Sequence, residues 1–218
     1  MKIVFVGGFG AGRHSTEKTG ERLATATGAE DLKVFTFSDR KKRMSEIIES
    51  MKRADRIDSH SAGALVVAEG LGELTKATRI TMFNAPMPTS ASALVAQGLP
   101  IAAHMLGDAI RKPSLFLPTV DFGCCYVAEL VVHPRANLGA LGSQGIPAFN
   151  SNSAALEMVD RGHRVSVVDM QSDEYFRRHP LDLERLRRHR VGYAELEGHH
   201  NRLLVDTGAV IAELDAAA

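Results

Sequence analysis

The chain has 218 residues, of which 44% are hydrophobic and 24% are charged, as in a globular protein with room for one sizeable α/β domain. Its 26 Lys and Arg residues balance its 26 Asp and Glu residues, so no net field attracts the protein to nucleic acid or to an anionic membrane. We therefore expect a small-molecule partner, and neither a nucleic acid nor a membrane.

Short runs of β-branched and aromatic residues predict six strands, and amphipathic segments between them predict helices. The predicted strands are residues 3–6, 32–37, 55–60, 78–83, 164–168 and 191–196. The predicted helices are residues 16–27, with Ser15 or Thr16 as the cap, then 40–53, 62–71, 153–160, 181–186 and 202–213. Strands that alternate with helices over short connections favour right-handed crossovers and a mostly parallel sheet with helices on both faces.

The segment 84–149 breaks this alternation. It contains helix-like runs at 101–111 and 123–132 and is punctuated by proline and glycine. We interpret residues 1–218 as one domain in which residues 85–149 form a helical insertion beside the sheet. Such an insertion is expected to lie over a pocket and to influence substrate choice, as loops on a rigid scaffold often do.

The cysteines and the N-terminus add two expectations. Cys124 and Cys125 are adjacent, which suits neither a disulfide framework nor a metal site, and we expect both thiols in the core. The apolar run that follows Met1 is too short for a signal peptide, and no stretch has the length of a membrane helix. A cytoplasmic protein is the expectation.

A glycine-rich loop, residues 7–12, follows the first predicted strand. It lacks the Lys and Ser or Thr of a P-loop, because Arg13 and His14 stand there, and Arg13 also replaces the third glycine of a dinucleotide fingerprint. Nucleotide binding is therefore kept only as a lesser alternative. Such a loop can instead offer a backbone N–H, here from Phe9 or a neighbour, to a developing oxyanion.

Ser61 lies between a predicted strand and a predicted helix, within the sequence SHSAG. This position suits a nucleophile on a tight strand-to-helix turn, and it equally suits a serine-rich helix cap. Acidic residues follow the next-to-last predicted strand and two histidines follow the last one. Serine, acid and histidine in this order after strand ends is the pattern that an activated serine requires. The alternative is that the acids cap a helix and the histidines are solvated.

Four segments of the chain resemble the α/β-hydrolase superfamily. SHSAG is similar to its Gly-x-Ser-x-Gly nucleophile elbow, FVGGFGAG to its first oxyanion loop, VVDMQSDEYF to its strand and acid, and LEGHHNRLL to the segment with its final histidine. The resemblance implies a compact α/β-hydrolase fold with residues 85–149 as the cap. It also implies Ser61 as the nucleophile, with the backbone N–H groups of Phe9 and Ala62 as oxyanion donors, and neither a metal nor a cofactor.

The resemblance also bears on the acid and the base. Asp173 lies where the family's acid usually falls, whereas Asp169 is nearer the strand and could hold the loop instead. His200 follows a glycine after one residue, as in thioesterase-like members, whereas His199 fits the equally common Gly-His pairing. We prefer Asp173 and His200, and the other two stay open as alternatives.

The function implied is a serine hydrolase acting on a carboxylic ester or thioester through an acyl-enzyme. Two residues depart from the family pattern. Ser59 replaces the first glycine of the elbow, and Asp58 is a carboxylate where an apolar residue is expected. They motivate the alternative of a non-catalytic protein that binds a small molecule on the same scaffold.

Overall fold

The computed structural model describes residues 1–132, 146–173, 176 and 178–217. Its centre is a parallel sheet of six strands in the order β2-β1-β3-β4-β5-β6. The strands are β1 (Lys2–Val6), β2 (Asp31–Phe35), β3 (Arg56–His60), β4 (Arg79–Phe83), β5 (Arg164–Met170) and β6 (Gly192–Leu196). Each begins and ends within two residues of its predicted position.

Helices connect these strands. They are α1 (Arg13–Thr27), α2 (Arg40–Arg53), α3 (Gly63–Gly70), α4 (Ala91–Arg111), α5 (Phe116–Val132), α6 (Ser151–Asp160), α7 (Pro180–Arg188), α8 (Arg202–Val205) and α9 (Thr207–Ala217). Short 3-10 turns lie at Phe37–Asp39, Leu71–Glu73, Pro113–Leu115 and Ile146–Ala148. The last predicted helix is thus two helices, α8 and α9, separated at Asp206.

Both faces of the sheet are covered, because neighbouring strand residues pack on opposite sides. Val167 contributes to a core shared with α2, α3 and α6, whereas Val168 contributes to a second core shared with α1 and α9. Burying one such aliphatic side chain stabilises the fold by roughly 1.5–3 kcal/mol. The predicted fold class, a mostly parallel sheet of about six strands with helices on both faces, is confirmed.

Helices α4 and α5, which lie in the segment predicted as an insertion, begin earlier than predicted. α4 begins at Ala91, where the Ser90 hydroxyl accepts a hydrogen bond from the third residue of the helix, and it continues through Pro100. α5 begins at Phe116, so that Pro118 lies in its first turn, where the missing N–H has no helical acceptor. In the part of the chain that the structure describes, no helix combines the length and apolar character needed to cross a bilayer.

Two local predictions are wrong. Gly12, and neither Ser15 nor Thr16, is the N-cap of α1, since the helix begins one turn earlier and the Thr16 hydroxyl donates to the Gly12 carbonyl at 2.9 Å. Cys124 is exposed and Cys125 is only half-buried. The adjacent thiols cannot both face the core, because neighbouring residues of a helix such as α5 point in different directions.

The strand order decides where the candidate site lies. β1 pairs with β3, β3 with β4, β4 with β5, and β5 with β6. All six strands run parallel, so the loops that follow β1, β3, β5 and β6 open at the same edge of the sheet. In doubly wound sheets this is the edge where ligands bind.

Candidate active site

Ser61 occupies a sharp turn between β3 and α3. Its backbone has φ of 50°, in the left-handed region that costs a non-glycine residue about 1–3 kcal/mol. Two backbone hydrogen bonds hold this geometry: the Ser61 N–H donates to the Phe83 carbonyl at 2.8 Å, and the Ser61 carbonyl accepts from the Ala64 N–H at 3.0 Å. The strained turn presents the serine hydroxyl at the end of the strand, as a nucleophile elbow does.

Two glycines allow the chain to pack closely around this turn. A Cβ atom on Gly63 would lie 2.2 Å from the Val6 carbonyl oxygen, and one on Gly8 would lie 2.7 Å from the Cβ of Ser61. The glycine loop after β1 therefore lies directly against the elbow. This steric contact with the elbow explains why position 8 is a glycine, and phosphate binding is not needed to explain it.

Three side chains meet in one line of hydrogen bonds at this edge. His200 Nδ1 lies 2.7 Å from Asp173 Oδ2, and His200 Nε2 lies 2.9 Å from Ser61 Oγ. A carboxylate only accepts, so Nδ1 carries the proton and Nε2 is the acceptor facing the hydroxyl. The exposed fractions are 8% for Ser61, 4% for His200 and 1% for Asp173, so the line is shielded from water.

The alternative acid and base face other partners. Asp169 receives the guanidinium of Arg178, whose Nε lies 2.7 Å from its Oδ2, and burial raises the pKa of Asp169 although Arg178 opposes this. His199 Nε2 lies 3.7 Å from Asp108 Oδ2 on α4, and burial lowers the pKa of His199 to about 4. At neutral pH, His199 is therefore a neutral ring directed toward α4, and the contact with Asp108 is not an ion pair.

Two rings and one asparagine surround His200, and of these the sequence analysis missed Phe176 and Asn84. The ring of His200 packs against His60, with ring centroids 5.2 Å apart, and against Phe176, at 5.6 Å. Burial lowers the pKa of His60 to about 3. Asn84, at the end of β4, donates its side-chain N–H to the His200 carbonyl and accepts the Met170 N–H at 2.9 Å. Its only signal in the sequence is an asparagine directly after a strand.

The two candidate oxyanion donors belong to the two segments that meet at Ser61, the turn itself and the glycine loop. Ala62 is the N-cap of α3, so its N–H belongs to a helix N-terminus, where partial positive charge favours an anion. Phe9 follows Gly8, the glycine that packs against Ser61. Within the described ranges, neither N–H donates to a protein acceptor.

Ser59 and Asp58 are accommodated by the strand. Ser59 lies within β3 in extended conformation, so this position does not need glycine's freedom, and its hydroxyl lies 3.4 Å from the Thr81 carbonyl. Asp58 is fully buried and contacts Arg56 of the same strand, with Nε 2.8 Å from its Oδ2. Burial raises the pKa of Asp58 although Arg56 opposes this. Among the residues that the structure describes, no group of three or more His, Cys, Asp or Glu side chains could hold a metal ion.

Comparison with protein-family models gave no match, and comparison with curated protein sequences gave none either. Solved structures do match over nearly the whole chain. A thermophilic esterase from Thermogutta terrifontis is 13% identical with a TM-score of 0.62, covering 100% of this chain and 89% of its own. An enol-lactonase from Burkholderia xenovorans LB400 is 15% identical with a TM-score of 0.60, covering 98% and 89%. The thioesterase domain from the curacin biosynthetic pathway is 14% identical with a TM-score of 0.52, covering 98% and 90%.

The sequence identities are too low to transfer an activity to this chain, so the comparison concerns the fold alone. The solved structures are described as an esterase, a lactonase and a thioesterase domain. They agree with the parallel six-stranded sheet and with the resemblance that the four sequence motifs suggested. This chain is therefore built on the fold of the α/β-hydrolase superfamily.

Proposed function

We propose that this protein is a serine hydrolase that cleaves a carboxylic ester or thioester through an acyl-enzyme intermediate. The observation that carries the proposal is the unbroken line of hydrogen bonds from Asp173 through His200 to Ser61. A serine hydroxyl is a weak nucleophile unless a base removes its proton, and here an imidazole nitrogen of His200 lies within hydrogen-bond reach of it. The positive φ of Ser61 adds support, since strained residues cluster at functional sites.

In the first half of the reaction, Ser61 Oγ attacks the carbonyl carbon of the substrate while its proton passes to His200 Nε2. Asp173 accepts the Nδ1 proton in a hydrogen bond and stabilises the imidazolium that forms. The carbonyl oxygen becomes an oxyanion, which the N–H groups of Phe9 and Ala62 stabilise. Each such donor contributes about 10²–10³-fold to kcat in well-studied hydrolases.

The tetrahedral intermediate then collapses. His200 gives the proton to the leaving oxygen or sulfur, the carbon–heteroatom bond breaks, and the acyl group remains on Ser61. Water enters, His200 removes its proton, and the resulting attack releases the carboxylic acid and restores the serine hydroxyl. Every step uses groups of the chain and water.

We further infer that residues 1–218 act as one domain in which residues 85–149 form a cap beside the site. Residues 133–145 of this segment lie outside the described part of the chain. Three contacts support this inference: Met105 of α4 lies in the core formed with α1 and α9, Asp108 of α4 faces His199, and Tyr126 of α5 occupies the space beside Gly10. The reaction calls for a small-molecule acyl substrate. That partner and the cytoplasmic location stay predictions from the sequence.

The test is hydrolysis of a short-chain p-nitrophenyl ester and of the corresponding thioester by the wild-type protein and by two matched variants. His200→Gln should lower kcat by about a thousandfold or more, because it removes the base. His199→Gln, the same change at the neighbouring histidine, should stay within about threefold of wild type, since the rest of the site is intact. Circular dichroism checks that both variants fold. Equal losses in the two variants, or no turnover by the wild type, would contradict the proposal.

A further inference from the structure

The main-chain carbonyl of His200 accepts hydrogen bonds from two buried side chains. His60 Nε2 lies 3.0 Å from this oxygen, and the side-chain N–H of Asn84 also donates to it. A carbonyl can only accept, so Nε2 is the protonated nitrogen of His60. Both donors are almost or entirely excluded from solvent. A buried polar group that loses its hydrogen bond is costly to leave unpaired, so these two bonds favour one conformation.

Asn84 has little freedom of its own. Its backbone lies in the left-handed region with φ of 46°, its N–H donates to the Val168 carbonyl at 2.7 Å, and its side-chain oxygen accepts from the Met170 N–H at 2.9 Å. The acceptor contact with Met170 orients the amide, so that its nitrogen faces His200. A single side chain thereby joins the end of β5, which leads to Asp173, to the loop that carries His200.

His60 makes the corresponding link to the nucleophile. It directly precedes Ser61, and its ring packs 5.2 Å from the ring of His200. Burial keeps this histidine neutral, because it lowers the pKa of His60 to about 3. A neutral His60 retains the N–H that the carbonyl needs, and it adds no positive charge beside His200 when that ring takes the proton of Ser61.

We propose that His60 and Asn84 form a carbonyl clamp, the pair of donors on the His200 carbonyl, which positions the base relative to the nucleophile and the acid. The inference rests on the proposed function and goes further by assigning two positioning residues. The clamp connects the elbow, the end of β5 that leads to Asp173 and the histidine loop through one oxygen atom. Its contribution is geometric: it holds His200 Nε2 at 2.9 Å from Ser61 Oγ.

The first test removes each donor with little change in volume. His60→Phe keeps an aromatic ring but has no N–H, and Asn84→Asp keeps the acceptor for Met170 and tolerates the left-handed backbone but has no amide N–H. Each should lower kcat by about tenfold or more, with KM within about twofold, since a small misplacement of a reacting group has large effects on rate. His60→Gln should recover most of the activity, because its side-chain amide can donate again.

A matched control separates positioning from general destabilisation. His163 is also buried, and it precedes β5 at the opposite edge of the sheet, where its ring accepts the Thr78 N–H. His163→Phe is therefore the same substitution at a buried histidine that does not contact the site. It should leave kcat unchanged. If it lowers kcat as much as His60→Phe does, the effect is not positioning and the clamp is overturned.

A second readout does not depend on turnover. The proton between His200 Nδ1 and Asp173 Oδ2 should give a low-field proton resonance in the wild type, in His60→Gln and in His163→Phe. It should shift upfield or broaden in His60→Phe and Asn84→Asp. If the wild-type protein showed no turnover, the proposed function would be refuted, but this resonance would still test the clamp. An unchanged resonance together with unchanged kcat in both donor variants would overturn it.

Discussion

Gly63→Ala tests whether the turn at Ser61 depends on close contact between the start of α3 and the end of β1. Gly63 opens α3, where this helix crosses the end of β1. An added Cβ would lie 2.2 Å from the Val6 carbonyl oxygen, 2.9 Å from the Val6 carbonyl carbon and 3.0 Å from the Gly7 carbonyl oxygen. All three atoms belong to the main chain of the end of β1 and of the glycine loop, so no side-chain rotation can relieve the overlap.

The size of the effect follows from these distances. An ordinary contact needs about 3.4 Å, so the closest approach of 2.2 Å falls more than 1 Å short and the elbow must move away from the loop. A displacement of about 1 Å between reacting groups can lower the rate about 100-fold. Overpacking of this kind also lowers the free energy of unfolding by about 1–3 kcal/mol. We therefore expect a folded, less stable protein with about one hundredth of the wild-type kcat.

Ester hydrolysis and urea unfolding measure both quantities, and Gly208→Ala is the matched control. Gly208 lies within α9, and a Cβ there would meet no atom within 4 Å. Alanine at this position should leave kcat unchanged and raise the free energy of unfolding by up to about 1 kcal/mol. The reasoning is refuted if Gly63→Ala keeps kcat and stability close to those of the wild type.

Asp173→Asn should lower kcat by about 10³–10⁴-fold without unfolding the protein. The Phe176 N–H keeps the amide oxygen on its side, so the amide N–H faces His200 Nδ1 and the ring carries its proton on the wrong nitrogen. A steady-state assay with circular dichroism would count against this if kcat stayed high. Asp169→Asn should instead lower the free energy of unfolding by about 3–5 kcal/mol, since the buried Arg178 loses its counter-charge. Urea titration measures this free energy, and a value equal to that of the wild type would contradict the prediction. Asp58→Asn tests the pH dependence of stability. Burial raises the pKa of Asp58, so the folded state binds this proton more tightly than the unfolded state does. The stability that the bound proton contributes is therefore lost as the pH rises. The variant's stability relative to the wild type should therefore increase from about pH 4 upward, and a decrease in urea titrations across that range would show the sign to be wrong.

The strands and their parallel direction were largely predictable from local patterns. Runs such as Ile3 to Val6 are apolar and end at glycine, and the alternation with helices restricts the topology to a parallel sheet. The first residues of α4 and α5 were not predictable in this way. Pro100 and Pro118 normally indicate a break, but both lie within helices here, Pro118 in the first turn where proline is tolerated.

Some residues of the candidate site were likewise predictable from the sequence and others were not. Ser61 has a local signature, because small residues surround it between a strand and a helix. Asp173 and Asp169 could not be separated by sequence spacing alone, since β5 continues to Met170, two residues beyond its predicted end. The chain must be folded before it is apparent that Asp169 faces Arg178.

The carbonyl clamp lay beyond any local pattern. Asn84 and His200 are 116 positions apart in the chain, and His60 and His200 are 140 apart. Their contact depends on the order of four strands and on a backbone conformation of Asn84 that no run of residues specifies. Long-range polar contacts of this kind are set by tertiary structure, whereas apolar periodicity reports only on which face of an element is buried.

The central claim, that Ser61 is an activated nucleophile, is tested most directly by covalent labelling. The wild-type protein and Ser61→Ala are incubated with a fluorophosphonate probe, and the labelled peptide is identified by mass spectrometry. We expect one phosphonylated residue, Ser61, in the wild-type protein and no labelling of the alanine variant. Labelling that persists in Ser61→Ala, or a folded wild-type protein that does not react, would contradict the claim.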